Sequence, residues 1–149
     1  MKKILFICIE NSNRSQMAEA FVRIHGRDKA EAFSAGSKPS GKINQKAIEA
    51  MKEIGYDLTT HKSKSIDDVL NSLLSGGSGW VAVVTMGCGD ECPFIPAKHR
   101  LDWQIPQPKD MDKEEFRKVR NMIEENVKDL INKILRPSGS WSFIKNGIL

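Results

Sequence analysis

The sequence lacks any apolar run that approaches the roughly 20 residues of a membrane-spanning helix. Its apolar stretch near the N-terminus, residues 4–9, is too short for a secretory signal peptide. The three cysteines are an odd number at uneven spacing, which excludes the disulfide framework of a small secreted protein. Together these absences favour a cytoplasmic protein that has no membrane partner.

Dense basic segments interleaved with aromatic residues are also missing, so the sequence does not support a nucleic-acid partner. The net charge of +4 is modest and suits an anionic substrate. A chain of 149 residues that is 40% hydrophobic is expected to fold as one domain with one core. We place this domain at residues 1–136 and treat residues 137–149 as a tail of unknown role.

One short polar loop lies between a predicted buried strand and a predicted helix. The strand is indicated by the unbroken apolar run at residues 4–7. The helix is indicated by apolar residues at helical spacing, namely Met17, Ala18, Phe21, Val22 and Ile24. Such a connection gathers backbone N–H groups around one point, and this arrangement favours an anion.

The residues of this loop point to a nucleophile in an oxyanion cradle. Cys8 opens the loop, where the electrostatic field of these backbone N–H groups would stabilise a thiolate, which is the reactive form of cysteine. Arg14 closes it with a planar fork of donors that suits a tetrahedral oxyanion, and Ser15 can donate a hydrogen bond to the sulfur. A lone cysteine is most often a small core residue, but the spacing of Cys8 and Arg14 favours function. The residues expected to surround the anion are Ile9, Glu10, Asn11, Ser12, Asn13 and Arg14.

The rest of the chain alternates strands with helices, which predicts an α/β fold with a parallel sheet and helices on both faces. We predict a strand over 30–34, a helix between Asn44 and Gly55, a short helix over 66–74, a strand over 80–86 and a long helix over about 112–135. A weak apolar patch at 93–96 is interpreted as the start of an edge strand, and 102–108 as an ordered loop. The glycine-rich segment 75–79 is interpreted as a hinge-like loop. Because ligands bind beyond the carboxyl ends of parallel strands, the loops after residues 8 and 86 are expected to lie together.

Two segments resemble a known family. The run Asn-Arg-Ser-Gln-Met-Ala-Glu at 13–19 and the run Val-Thr-Met-Gly-Cys-Gly-Asp-Glu-Cys-Pro at 84–93 are similar to the thiol-dependent arsenate reductases of the low-molecular-weight protein tyrosine phosphatase family. The resemblance extends over about residues 1–135. It implies a three-layer fold with a four-stranded parallel sheet, no cofactor, and arsenate as substrate with phosphate or sulfate as analogues.

Cys88 and Cys92 have three interpretations. They could be unrelated thiols in a loop. A zinc site requires four ligands, usually cysteine or histidine, and only His99 lies nearby in sequence. The third interpretation is a redox relay, in which a second thiol releases the arsenic adduct from Cys8 and a third moves the disulfide outward by exchange. The resemblance implies Cys8 as nucleophile, Cys88 as first resolving thiol, Cys92 as the thiol that completes a Cys88–Cys92 disulfide, and a thioredoxin-like or other thiol reductant as partner.

The sequence departs from the family pattern at its general acid. Members of the family carry an aspartate before a proline ahead of the last helix, and the corresponding pair here is Gln107-Pro108. Glutamine cannot donate and recover a proton as a carboxylic acid does, so Asp102 or Asp110 could substitute. This departure keeps two alternatives open: a phosphatase that hydrolyses phosphate monoesters through a Cys8 phosphoenzyme, and a catalytically impaired module that binds oxyanions or senses redox state.

A second departure concerns a monovalent-cation site of some reductases, whose ligands would lie near Asn11, Glu19 and Ser34. The position of a further acidic ligand is occupied by Lys64, whose ammonium group could replace the cation. The three histidines, His25, His61 and His99, show no catalytic pattern and are expected to be surface or capping residues.

Overall fold

The computed structural model describes residues 1–73, 79–88 and 92–134. Four strands and four helices follow one another along these residues: β1 (Lys2–Cys8), α1 (Arg14–His25), β2 (Ala30–Gly36), α2 (Gln45–Lys52), α3 (Ile66–Asn71), β3 (Trp80–Thr85), β4 (His99–Asp102) and α4 (Lys113–Ile134). A short 3-10 helix, Leu58–Thr60, lies between α2 and α3. Most of the predicted hinge-like loop and the whole predicted tail lie outside the described residues.

The four strands form one parallel sheet in the order β2-β1-β3-β4. The predicted apolar runs become the two central strands, β1 and β3, because strands covered on both faces need apolar residues throughout. In the β1–β2 pair Cys8 lies opposite Gly36, and in the β1–β3 pair Ile7 lies opposite Thr85. The carboxyl ends of β1 and β3 therefore meet at one edge of the sheet.

Helices cover both faces of the sheet and divide the core into two clusters. On one face Ile4, Phe6 and Cys8 of β1 pack with apolar residues of α1, α2 and α4. On the other face Leu5 and Ile7 pack with residues of α3 and with Cys88 and Ile95. This confirms the predicted three-layer α/β fold with a four-stranded parallel sheet.

The helix boundaries agree with the predicted start and stop residues. Asn44 caps α2, because its side chain accepts a hydrogen bond from the Lys46 backbone N–H at 2.8 Å. Gly55 follows that helix with a φ of +87°, a left-handed conformation that favours glycine. Within the described ranges, no helix is both long enough and apolar enough to cross a membrane.

The edge strand of the sheet differs from the expectation. The apolar patch at 93–96 does not form it; β4 does, and its four residues are all exposed. An exposed strand carries no apolar alternation, so its sequence gives no strand signal. Asp102, assigned to the following loop, is the last residue of this strand.

Candidate active site

The polar loop after β1 wraps tightly around the end of the sheet. Asn11 adopts a φ of +52°, a left-handed conformation that asparagine tolerates better than most residues. The segment after β2 holds the loop from outside, since the N–H groups of Ser37 and Lys38 donate to the Cys8 and Ile9 carbonyls at 3.2 Å and 2.8 Å. Gly36 allows this approach, because a Cβ there would lie 2.6 Å from the Ile9 carbonyl oxygen.

Cys8 is a buried free thiol with two donors directed at its sulfur. Its Sγ lies 2.8 Å from Ser15 Oγ and accepts the Asn11 backbone N–H at 3.3 Å. Asn11 Nδ2 donates to Ser15 Oγ at 2.8 Å, so the hydroxyl proton of Ser15 is free to point at the sulfur. Hydrogen bonds to the charged form of a group favour that form, and both contacts favour a thiolate.

Arg14, the first residue of α1, is 4% exposed and lies beside the thiol. Its Nη1 donates to the Ile105 carbonyl at 3.0 Å, which anchors the guanidinium to the loop after β4. Burial lowers the pKa of Arg14, with Cys8 and Glu10 opposing that change, yet arginine remains a cation in proteins. Its buried Nε has no hydrogen-bond partner within the described part of the chain. The guanidinium therefore has a donor available for an oxyanion.

The start of α1 is also open to an anion. Asn13 occupies the N-cap but makes no side-chain capping bond, and its Oδ1 has no partner among the described residues. The first N–H groups of any helix have no partner within the helix. The helix dipole adds partial positive charge at the same point, so this helix start can hold a tetrahedral anion next to Cys8.

The second cysteine segment begins beside Arg14. Gly87, with a φ of +76°, lies so close that a Cβ there would be 2.7 Å from Arg14 Nη1. The next residue, Cys88, is disulfide-bonded to Cys92, with 5.7 Å between the two Cα atoms. Cys88 is 4% exposed, whereas Cys92 is half-buried. The structure thus brings the two cysteine segments to the same edge of the sheet.

The two carboxylates considered as acid substitutes lie at the surface. Asp102 accepts hydrogen bonds from Thr85 Oγ1 at 2.7 Å and from Gln104 Nε2 at 2.6 Å. Asp110 is exposed in the turn before α4, and Gln107 is exposed as well. In the residues that the structure describes, neither carboxylate has a hydrogen bond or ion pair to Cys8 or Arg14.

The surroundings of Glu19 do not fit a bound monovalent cation. Ser34 Oγ donates to Glu19 Oε1 at 2.7 Å, and the Lys64 ammonium lies 4.0 Å from the same oxygen. Asn11 Oδ1 already accepts two hydrogen bonds, from Gln16 Nε2 and from the Lys64 backbone N–H, each at 2.8 Å. The oxygens that would coordinate a cation are therefore engaged by protein donors. Among the described residues, no group of three or more Cys, His, Asp or Glu side chains could hold a metal ion.

One residue near the site is more buried than its sequence indicates. His61, expected at the surface or at a helix cap, is the C-cap residue of the 3-10 helix, where its backbone N–H donates to the Leu58 carbonyl at 3.1 Å. Its side chain, however, is buried and lies between Gln16 and Tyr56. Its polar flanking residues hide this position, and no periodic pattern marks it. His25 contacts Glu124 at the protein surface at 2.8 Å, and His99 is exposed in β4, as expected of surface histidines.

Comparison with known proteins agrees with this geometry. The model of the low molecular weight phosphotyrosine protein phosphatase family matches residues 3–73 and 90–138. The chain is 35% identical over 136 residues to the glutaredoxin arsenate reductase of Synechocystis sp., covering 90% of this chain and 99% of that protein. It is 39% identical over 134 residues to an arsenate reductase of Staphylococcus aureus (strain Newman), and this match covers 85% of this chain and 96% of that protein.

Solved structures give the same result. A structure described as an arsenate reductase in the phosphate binding state has a TM-score of 0.77 at 34% identity, covering 90% of this chain and 99% of that one. The structure of the thioredoxin-dependent arsenate reductase of Corynebacterium glutamicum has a TM-score of 0.72 at 32% identity, and the match covers 90% of this chain and 62% of that chain. With its cysteine and arginine framing one anion-binding loop, and with these matches along most of its length, the chain belongs to the low molecular weight phosphotyrosine protein phosphatase family.

Proposed function

We propose that this protein is an arsenate reductase that converts arsenate to arsenite through Cys8 and a relay of disulfides. The observation that carries the proposal is the Cys88–Cys92 disulfide, which begins one residue after the Gly87–Arg14 contact. A phosphatase of this fold would need only the nucleophile and the anion cradle. A thiol pair that closes into a disulfide at the rim of the cradle supplies the two further thiols that the reduction of a bound arsenate requires.

The first step is attack on the bound oxyanion. Arsenate occupies the cradle formed by the helix start and the Arg14 guanidinium, where its negative charge meets hydrogen-bond donors. The Cys8 thiolate, held by Ser15, attacks arsenic, so that an S–As bond forms and an As–O bond breaks. The departing oxygen takes up a proton and leaves as water.

Two exchange steps then complete the reduction. The Cys88 thiolate attacks Cys8 Sγ, a disulfide forms, and the electron pair of the S–As bond passes to arsenic, which leaves as arsenite in the As(III) state. Cys92 next attacks Cys88 Sγ, which forms the Cys88–Cys92 disulfide and returns Cys8 as a thiolate. Two thiols thus supply the two electrons that arsenic receives.

The burial of the two sulfurs suggests how the disulfide is reopened. Cys88 packs with Leu5, Ile7 and Ile95 on the α3 face of the sheet, while Cys92 remains half-buried at the rim. An external thiolate therefore reaches Cys92 first and expels Cys88, which then becomes free to approach Cys8. We infer a thioredoxin-like reductant, and a reducing compartment such as the cytoplasm, which keeps such thiols cycling.

A coupled assay of arsenite release tests this function. Reduced protein is mixed with arsenate, thioredoxin, thioredoxin reductase and NADPH, and arsenite is counted per protein molecule. The wild-type protein is expected to turn over many times, the Cys92→Ser variant about once, and the Cys88→Ser variant not at all. Continued turnover of Cys88→Ser would exclude the relay, and rapid release of phosphate from p-nitrophenyl phosphate without arsenite would favour a phosphatase.

A further inference from the structure

The N-cap residue of α1 carries a polar side chain that does not cap the helix. Asn13 occupies this position and is 3% exposed. An N-cap residue normally adopts an extended backbone, from which its side chain turns back onto the first helix N–H groups. Asn13 has instead a φ of −130° and a ψ of −84°, and its side chain makes no capping bond. The Asn13 oxygen therefore leaves those N–H groups open to an anion.

Two buried polar atoms at this helix start have no hydrogen-bond partner in the part of the chain that the structure describes. They are Oδ1 of Asn13, which can only accept a hydrogen bond, and Nε of Arg14, which can only donate one. Buried polar atoms are paired in the great majority of cases. An acceptor and a donor left open on adjacent residues, beside the Cys8 thiol, therefore indicate a ligand that offers both a donor and an acceptor.

Asn13 also lines a cavity of about 350 Å³ beside the anion-binding loop. Glu10 and Ser12 of that loop form part of its wall, together with the exposed side chains of Lys42 and Lys109. The Lys109 ammonium lies 3.8 Å from the Glu10 carboxylate and balances its charge, so Lys42 gives the wall a net positive charge. An anion can therefore approach Asn13 through a cavity whose charge attracts it.

A hydrogen-bond acceptor distinguishes between tetrahedral anions by their protons. At neutral pH sulfate has only acceptor oxygens, so it would place lone pairs against Asn13 Oδ1. Arsenate and phosphate each keep at least one hydroxyl at that pH, and a hydroxyl can donate. We propose that Asn13 determines the specificity of the site: its Oδ1 accepts the hydroxyl proton of a protonated tetrahedral anion, while Arg14 Nε donates to an oxygen that carries no proton.

The class of anion selected in this way is hydrogen arsenate or hydrogen phosphate, and sulfate is rejected. A site built to bind a hydroxyl rejects an analogue that lacks one, because the buried acceptor is then left unpaired. Asn13 would thus separate two analogues that the sequence alone treats as equal. The inference rests on the proposed function only in taking this loop as the arsenate site. Its test measures anion binding without turnover, so it can fail while arsenate reduction stands, and the reverse.

The test measures how well phosphate and sulfate protect Cys8 from alkylation by iodoacetamide. While the Cys88–Cys92 disulfide is closed, Cys8 is the free thiol, so its alkylation rate reports occupancy of the cradle. The dissociation constant of each anion is obtained by titration at neutral pH and constant ionic strength. We expect phosphate to bind about 10- to 100-fold more tightly than sulfate. Equal dissociation constants would overturn the proposal.

Three variants test whether Asn13 is the source of this preference. Asn13→Ala removes the acceptor, so the ratio of the two dissociation constants should fall below about 3-fold. Asn13→Asp keeps an acceptor and adds a negative charge, so both anions should bind more weakly while phosphate stays preferred. The matched variant Asn44→Ala removes an N-cap that does form its capping bond; it should lower the thermal midpoint of unfolding and keep the ratio. If Asn13→Ala weakens both anions equally, the amide acts as a donor and the proposal is wrong.

A third anion keeps the proposal testable on the unchanged protein if these variants fail to fold. Monofluorophosphate has the charge and nearly the size of hydrogen phosphate, but fluorine replaces the hydroxyl, so it has no proton to donate. We expect it to protect Cys8 as poorly as sulfate does. Protection equal to that of phosphate would show that charge and shape alone set the preference, and would overturn the proposal.

Discussion

Replacing Gly87 by alanine is expected to damage the anion site while changing the fold little. An added Cβ would lie 2.7 Å from Arg14 Nη1, closer than real Cβ atoms approach other heavy atoms. The guanidinium is the movable partner, so it must shift away from its position beside Cys8. Its hydrogen bond to the Ile105 carbonyl, now 3.0 Å, would be stretched or lost.

The size of the effect follows from a comparison with Gly41. Both glycines have left-handed φ angles, +76° for Gly87 and +82° for Gly41, but nothing lies within 4 Å of a Cβ at Gly41. Each alanine variant therefore carries the same backbone cost, about 1–2 kcal/mol. Only Gly87→Ala displaces Arg14, and a misplacement of about 1 Å at a reacting centre can cost about 10²-fold in rate. This factor corresponds to about 2.7 kcal/mol in the activation free energy.

The assay measures kcat/KM for arsenate, the dissociation constant of phosphate for the reduced protein, and the thermal midpoint of unfolding. Gly87→Ala should lose about 10²-fold in kcat/KM and should bind phosphate more weakly. Gly41→Ala should match its loss of stability and keep the activity of the wild type. Equal activities of the two variants would refute the role assigned to the Gly87–Arg14 contact.

Two further predictions concern charges away from the thiols. Arg117 and Arg120 hold the pKa of Glu53 down at about 2 through side-chain hydrogen bonds. These bonds to the ionised carboxylate therefore stabilise the folded protein fully above the unfolded pKa of Glu53, about 4.3, and this contribution is lost as pH falls through 2. Urea unfolding should show a lower free energy of unfolding for Glu53→Gln than for the wild type at pH 7, and the gap between the two proteins should shrink between pH 4.5 and 2. A gap that does not change with pH would contradict this prediction. Lys64 and other donors engage the oxygens around Glu19, so potassium chloride should raise the thermal midpoint of unfolding no more than sodium chloride does. A larger rise with potassium would contradict the conclusion that these surroundings do not fit a bound cation.

Sequence patterns were sufficient to predict the two central strands of the sheet and the edge at which their loops meet. The apolar runs of β1 and β3 had to be buried, and parallel pairing then brought residues 8 and 88 to one edge of the sheet. The loop residues were predicted because their spacing between a strand and a helix has a direct physical meaning. Caps such as Asn44 and stops such as Gly55 act locally, so they too can be identified from sequence.

The parts that were missed depend on contacts between distant residues. β4 is exposed, and only its pairing with β3 makes it a strand. His61 looks like a surface residue in its polar segment, and only the fold places it against Gln16 of α1. The pair of arginines around Glu53 joins α4 to the end of α2 in the same way. No local pattern encodes such pairings.

The central claim is that one turnover joins Cys8 to Cys88. It is tested most directly in the Cys92→Ser variant, where the third thiol is absent and the first disulfide cannot move outward. After reaction of the reduced variant with arsenate and an acid quench, non-reducing peptide mass spectrometry should find a Cys8–Cys88 disulfide and one equivalent of arsenite. Two free thiols and no arsenite, in protein whose Cys8 is still protected from alkylation by phosphate, would contradict the relay.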